Sequence, residues 1–134
     1  MKAALLVESL TGNTWKAAES IAANLQQEGW SITGLAPLRR PDHGAIQAAD
    51  LIIVGTWVHG AFIIGQAPWG IGAIAGKKAA TFCTFALNPG KTLTAMESAV
   101  TARGADVIGG LALHRSKLAA HTEEFAARLV SALV

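Results

Sequence analysis

Tyrosine is absent, cysteine occurs once, and charged residues make up only 15% of the 134 positions. The lone Cys83 cannot close an internal disulfide, and its apolar flanks predict a buried, inert thiol. One cysteine and four scattered histidines offer no ligand spacing for zinc, so no metal site is expected. No uninterrupted apolar run approaches the roughly 18 residues that a membrane span requires. The greasiest stretch, Ala61 to Gly76, is broken by Gln66, Pro68 and several glycines. The apolar run after Met1-Lys2 is too short for a secretory leader and ends at Glu8, so a cytoplasmic location is expected. The net charge of +2 is scattered rather than gathered into a stripe, which argues against nucleic acid as a partner.

What is present is an apolar chain, 51% hydrophobic, long enough to bury a core as a single domain over residues 1–134. Ala3 to Val7 reads as a buried strand. Trp15 to Glu28 repeats Trp15, Ala18, Ile21, Ala22 and Leu25 along one helical face, and Gly29 stops it. Trp30 to Leu38 is a second strand and Asp42 to Ala49 a short helix. Leu51 to Gly55 is fully apolar, as in a strand covered on both faces. Lys78 to Phe85 is the fourth strand. Thr92 to Arg103 is a helix with Thr94 and Glu97 at capping-box spacing and Gly104 as its stop. Ala105 to Leu113 is the fifth strand and Ser116 to Leu133 the last helix. Glycines at 60, 65, 70, 72 and 76 weaken any helix between, each costing roughly 1 kcal/mol against Ala. The alternation predicts an α/β fold, a parallel sheet with helices on both faces. Ligands of such sheets sit beyond the carboxyl ends of the strands, where Ser9–Thr14, Thr56–Trp69 and Phe85–Gly90 would gather.

The first of these loops carries the clearest chemistry. Ser9-Leu10-Thr11-Gly12-Asn13-Thr14 joins a buried strand to a helix, whose start offers unpaired N–H groups and a partial positive charge. Gly12 permits close backbone approach, and Ser9, Thr11 and Thr14 add hydroxyls. No Lys or Arg lies in the turn, which suits one monophosphate better than a metal-bound triphosphate. The plain alternative is a capped turn that binds nothing. Trp57 reads either as a ligand-facing ring just past a strand end or as core, and Trp69 as pocket wall or partner plug. His59 is either a group that tunes or protonates a ligand or simply a solvated loop residue. Ala61-Phe62-Ile63-Ile64 either folds under the sheet edge or belongs to an apolar docking surface spanning Ala61–Gly76.

The turn at 9–14 resembles the flavodoxin phosphate loop, Thr/Ser-x-Thr-Gly-x-Thr, at every fixed position. Gly55-Thr56-Trp57, Gly76-Lys77-Lys78-Ala79-Ala80 and Gly104-Ala105-Asp106-Val107 are also flavodoxin-like, in order along the chain. The resemblance implies a three-layer sandwich with a five-stranded parallel sheet in the order 2-1-3-4-5, holding one FMN noncovalently. It implies that Ser9, Leu10, Thr11, Gly12, Asn13 and Thr14 hold the 5′-phosphate. Thr56, Trp57, Val58, His59 and Gly60 would line one side of the flavin, with Trp57 stacked on the ring. Phe85, Ala86, Leu87, Asn88 and Gly90 would line the other, and no catalytic residue is implied.

Two departures bear on the redox chemistry. Val58, not glycine, follows Trp57, and a β-branched residue resists φ > 0 unless Gly60 takes that role. The third loop, Phe85 to Gly90, carries no acid, so a bound flavin would meet an uncharged rim and be easier to reduce fully. The function expected is electron transfer between a reductase donor and an unnamed acceptor. The alternatives are an FMN-dependent NAD(P)H or quinone reductase, and a flavin-free phosphate-ligand-binding or signalling module. A phosphoacceptor receiver is disfavoured, since only Glu8 of its acid cluster is present.

Overall fold

The computed structural model describes residues 1–68 and 73–133. Trp69, Gly70 and Gly72 therefore lie outside the described residues, and with them the two readings of Trp69. The chain runs β1 (Lys2–Val7), α1 (Asn13–Gln27), β2 (Ser31–Pro37), α2 (His43–Ala48), β3 (Leu51–Trp57) and α3 (Phe62–Gln66). It continues with β4 (Lys78–Phe85), α4 (Thr92–Ala102), β5 (Asp106–His114), a 3-10 turn at Arg115–Lys117 and α5 (Leu118–Leu133). The five strands pair in parallel in the order β2-β1-β3-β4-β5, the order that the resemblance implies.

Strand alternation sorts the core into two layers. Ala3, Leu5 and Val7 pack with Ile53, Phe82, Ile21 and Leu25 of α1, and Phe125 of α5. Ala4 and Leu6 pack on the opposite face with Val54, Ile46 of α2, Ile63 of α3 and Met96 of α4. Continuous apolar sequence in β1 and β3 follows from this, because both faces are covered. Phe82 is fully buried and fills the space beside its register partner Gly55; a Cβ on Gly55 would overlap its ring.

Element ends fall within one or two residues of the sequence expectation, and four local features are instructive. Helix α1 begins at Asn13, earlier than Trp15, because Gly12 itself caps it at φ 93. Strand β3 extends two residues further, so Trp57 is its last residue, paired with Thr84, rather than a residue beyond the strand. Helix α4 starts at Thr92 after Lys91 with no side-chain cap. Thr94 thus lies inside the first turn, and the capping box with Glu97 is not formed. Helix α3 forms despite Gly65 because Ile63 and Ile64, both 0% exposed, anchor it against the sheet. Tertiary burial outweighs the propensity cost there.

Candidate functional site

The carboxyl ends of β1, β3 and β4 are tied together by hydrogen bonds between their loops. Glu8 N–H donates to the Gly55 carbonyl at 3.0 Å, and Val58 N–H to the Thr84 carbonyl at 3.0 Å. The Thr14 and Thr84 hydroxyls are 2.8 Å apart and buried. His59 N–H reaches the Thr92 hydroxyl at 3.4 Å. The three loops singled out by composition therefore meet at one edge of the sheet.

In the 9–14 turn, Ser9 Oγ accepts the Gly12 N–H at 2.9 Å and the Trp15 N–H at 3.4 Å. Thr11 Oγ1 accepts from Asn13 Nδ2 at 3.4 Å. A hydroxyl that accepts keeps its own proton to donate, so Ser9 and Thr11 each retain one. Of the two protons on the Thr14–Thr84 pair, one lies between the oxygens and the other is spare. The backbone N–H groups of Leu10, Thr11, Asn13 and Thr14 make no hydrogen bond among the described residues. Unpaired amides at the positive end of α1, with spare hydroxyl protons beside them, form an anion cradle. Its one neighbouring acid, Glu8, is engaged by the Arg39 N–H at 2.8 Å and by Arg39 Nε at 3.9 Å. These donors fit a phosphate ester.

The loop after β3 is a tight turn closed by Gly60 N–H on the Trp57 carbonyl at 3.0 Å. His59, exposed, takes the left-handed φ of 68, a strained value for a residue with a side chain. Val58 has no positive φ, so the strained position falls on His59. Trp57 is half-buried and packs against the core on the α2, α3 and α4 face, which leaves only part of its ring to meet a ligand. Gly60 is buried, and a Cβ there would overlap Thr56 Oγ1 and lie 3.0 Å from the Trp57 carbonyl oxygen. The Thr56 hydroxyl has no hydrogen-bond partner although it is fully buried. An orphan of this kind costs about 1–3 kcal/mol.

In the loop after β4, Phe85 leans toward β5 and meets the His114 ring edge-on, centroids 5.1 Å apart. Ala86 is half-buried beside it. Asn88 Oδ1 accepts the Gly90 N–H at 2.7 Å, and Gly90 has φ 56, so residues 88–90 form an Asx turn. Leu87 at the tip is 95% exposed. Cys83 lies below the site, and burial pushes its thiol up to about 11, in keeping with an inert core residue.

Sequence reasoning passed over Thr84 and Thr92, the hydroxyls that join the second and third loops to the rest. The signal for Thr84 was a polar residue in an apolar strand, two positions after Phe82 and hence on the α1 face. Of the apolar docking surface at 61–76, Ile63, Ile64, Ala67 and Ile74 are buried core and Phe62 is the exposed large side chain. The first reading, that Ala61-Phe62-Ile63-Ile64 folds under the sheet edge, holds for Ile63 and Ile64 and not for Phe62, and Gly65, Gln66, Pro68, Ala75 and Gly76 are exposed. His114 Nδ1 and Ser116 Oγ, 2.7 Å apart, form a local turn cap. Among the described residues no helix is long and apolar enough to cross a membrane.

A family model described as a flavodoxin domain matches residues 4–109, which takes in all three loops. No curated protein matches the chain. Solved structures do. Oxidised flavodoxin 2 from Bacillus cereus is 21% identical with a TM-score of 0.77, over 98% of this chain and 99% of that one. Oxidised flavodoxin 1 from the same organism is 22% identical with a TM-score of 0.76, over the full length of both. Two-electron reduced Megasphaera elsdenii flavodoxin is 19% identical with a TM-score of 0.71, over 93% and 98%. At these identities the likeness is one of fold.

Proposed function

The chain belongs to the flavodoxin domain family, and from that premise we propose that it is an electron-transfer protein that binds one FMN noncovalently. The observation that carries this reading is the uncharged cradle: the unpaired amides of Leu10, Thr11, Asn13 and Thr14, with spare hydroxyl protons on Ser9 and Thr11. Each such donor to a charged phosphate contributes about 1.5–3 kcal/mol. Bound FMN supplies the electron-carrying ring.

The chain's own residues do the rest. Gly12, in the left-handed region, turns the backbone so that amides on both sides of it are left unpaired. Thr14 anchors the start of α1 to β4 through Thr84, which holds the cradle in place beside the third loop. His59 and the half-exposed part of Trp57 would line one side of the ring, and Ala86, Leu87 and Asn88 the other, with Gly60 buried behind the first wall. The Asx turn at 88–90 fixes the third loop without a charged side chain, so residues 85–90 give the rim one uncharged stretch. Electron flow then depends on a donor and an acceptor protein reaching that rim.

The test compares FMN with riboflavin, which lacks the phosphate. Purified protein absorbs near 450 nm when flavin is bound, and fluorescence quenching gives both affinities. Thr11→Ala is expected to weaken FMN by about 10-fold to 100-fold and to leave riboflavin within about twofold. Equal loss for both ligands, or no binding of FMN at all, refutes the reading.

A further inference from the structure

Charge at the carboxyl edge of the sheet is predominantly positive. The loops 8–13, 38–42, 58–61, 86–91 and 114–117 carry Arg39, Arg40, Lys91, Arg115 and Lys117 against Glu8 and Asp42. Both acids are engaged. Glu8 is held by Arg39, and Asp42 caps α2 by accepting the Ala45 N–H at 3.0 Å. Among the described residues Arg40, Lys91, Arg115 and Lys117 form no ion pair, and all four are exposed. The rest of the chain has six Lys or Arg against seven Asp or Glu. The chain's whole positive excess, scattered along the sequence, is therefore gathered by the fold on the edge that carries the site.

The exposed apolar side chains sit there too. Leu10 is 71% exposed, Phe62 57% and Leu87 95%; Met1 is the one other large apolar residue so exposed among the described residues. Leu10 stands on the loop after β1, Phe62 at the start of α3, and Leu87 on the loop after β4. Five strand ends at about 4.8 Å spacing span about 20 Å. Apolar groups after β1, β3 and β4, flanked by unpaired cations after β2, β4 and β5, make on this scale a docking face with an electrostatic preference.

We infer that this edge docks a redox protein whose own face is acidic, with carboxylates around an apolar centre. The inference rests on the electron-transfer reading for the nature of the partner. Charge complementarity decides the class of partner: an acidic face is drawn to this rim and slowed least by desolvation, whereas a basic face is repelled.

Two small redox proteins of opposite charge test it: rubredoxin, which is acidic, and cytochrome c, which is basic. Each is titrated at low ionic strength into 15N-labelled protein whose flavin content has been read by absorbance, and amide shifts are followed. Rubredoxin is expected to shift amides of the loops after β1, β3 and β4, and cytochrome c to leave them unchanged. Lys91→Gln with Arg115→Gln should weaken rubredoxin about tenfold. Lys2→Gln with Lys78→Gln, which removes the same charge at the opposite edge, should change it by less than about twofold. Phe62→Ser, at constant charge, should weaken it several-fold. The proposal is overturned if cytochrome c takes the same loops, if rubredoxin binds elsewhere or not at all, or if the two charge variants behave alike. Shift mapping needs no flavin. Rubredoxin docking on protein that refuses FMN would refute the flavin reading and keep the surface, and a flavin-loaded protein that ignores rubredoxin would do the reverse.

Discussion

Thr56 and Gly60 form the tightest pairing in the candidate site, and a double-mutant cycle reads the coupling between them. Gly60→Ala places a methyl on Thr56 Oγ1, 3.0 Å from the Trp57 carbonyl oxygen and 3.1 Å from its Cδ2. Overpacking of this kind costs typically 1–3 kcal/mol. With backbone among the neighbours, about 2–3 kcal/mol is expected here. Thr56→Ala removes a buried hydroxyl that has no partner, which returns about 1–3 kcal/mol of desolvation. It also loses one buried methyl, about 1 kcal/mol, so the single variant should be neutral or slightly stabilised. In the double variant the overlap with Oγ1 is gone and the closeness to Trp57 remains. Gly60→Ala should then cost only about 1 kcal/mol, a coupling of about 1–2 kcal/mol. Urea unfolding of the flavin-free protein measures all four corners, with shifts in midpoint at constant slope. Additivity within about 0.5 kcal/mol, or a Thr56→Ala loss above about 2 kcal/mol, refutes the reasoning. The first outcome would mean that the two groups do not meet, and the second that the hydroxyl has a partner.

Gly12→Ala should cost about 1–2 kcal/mol through backbone alone, since φ is 93 and nothing lies within 4 Å of the added methyl; the same urea titration reads it. Burial pushes the Cys83 thiol up to about 11, whereas an unfolded cysteine ionises near 8.5. Above that pH the unfolded chain has released a proton that the folded chain keeps, so stability falls as pH rises toward 11. Cys83→Ala should remove up to about 3 kcal/mol of that fall at pH 11, read by chemical denaturation at pH 8 and pH 11. In flavin-loaded protein Asn88→Asp should make the two-electron midpoint potential more negative, because a carboxylate in the third loop opposes the charge of the reduced ring; spectroelectrochemical titration checks the sign.

Much of this was readable from the amino acids because each strand is either a solid apolar run or ends on a distinct turn residue. Residues 78–85 were bounded to the residue, and Gly104, at φ 88, stops α4 as its position suggests. What could not be read depends on neighbours distant in sequence. Trp57 stays in the sheet because β4 continues alongside it to Thr84. Thr14 reads as a phosphate donor, yet its side chain is buried against a hydroxyl seventy positions away. Helix α3 exists because Ile63 and Ile64 have a core to enter, which local propensity cannot register. The capping box failed for the opposite reason, a local pattern three residues out of phase with the helix N-cap at Lys91. Within the cradle, composition locates the turn, and only the folded structure reveals which donors are already spent.

Phe82 beside Gly55 ties two positions into one unit of inheritance. A methyl cannot appear at 55 while a benzyl group occupies 82, and a smaller group at 82 would leave a hole in the middle of the sheet. Neither can drift alone, so descendants of this chain that repack that spot must pass through a poorly folded ancestor or change both codons together.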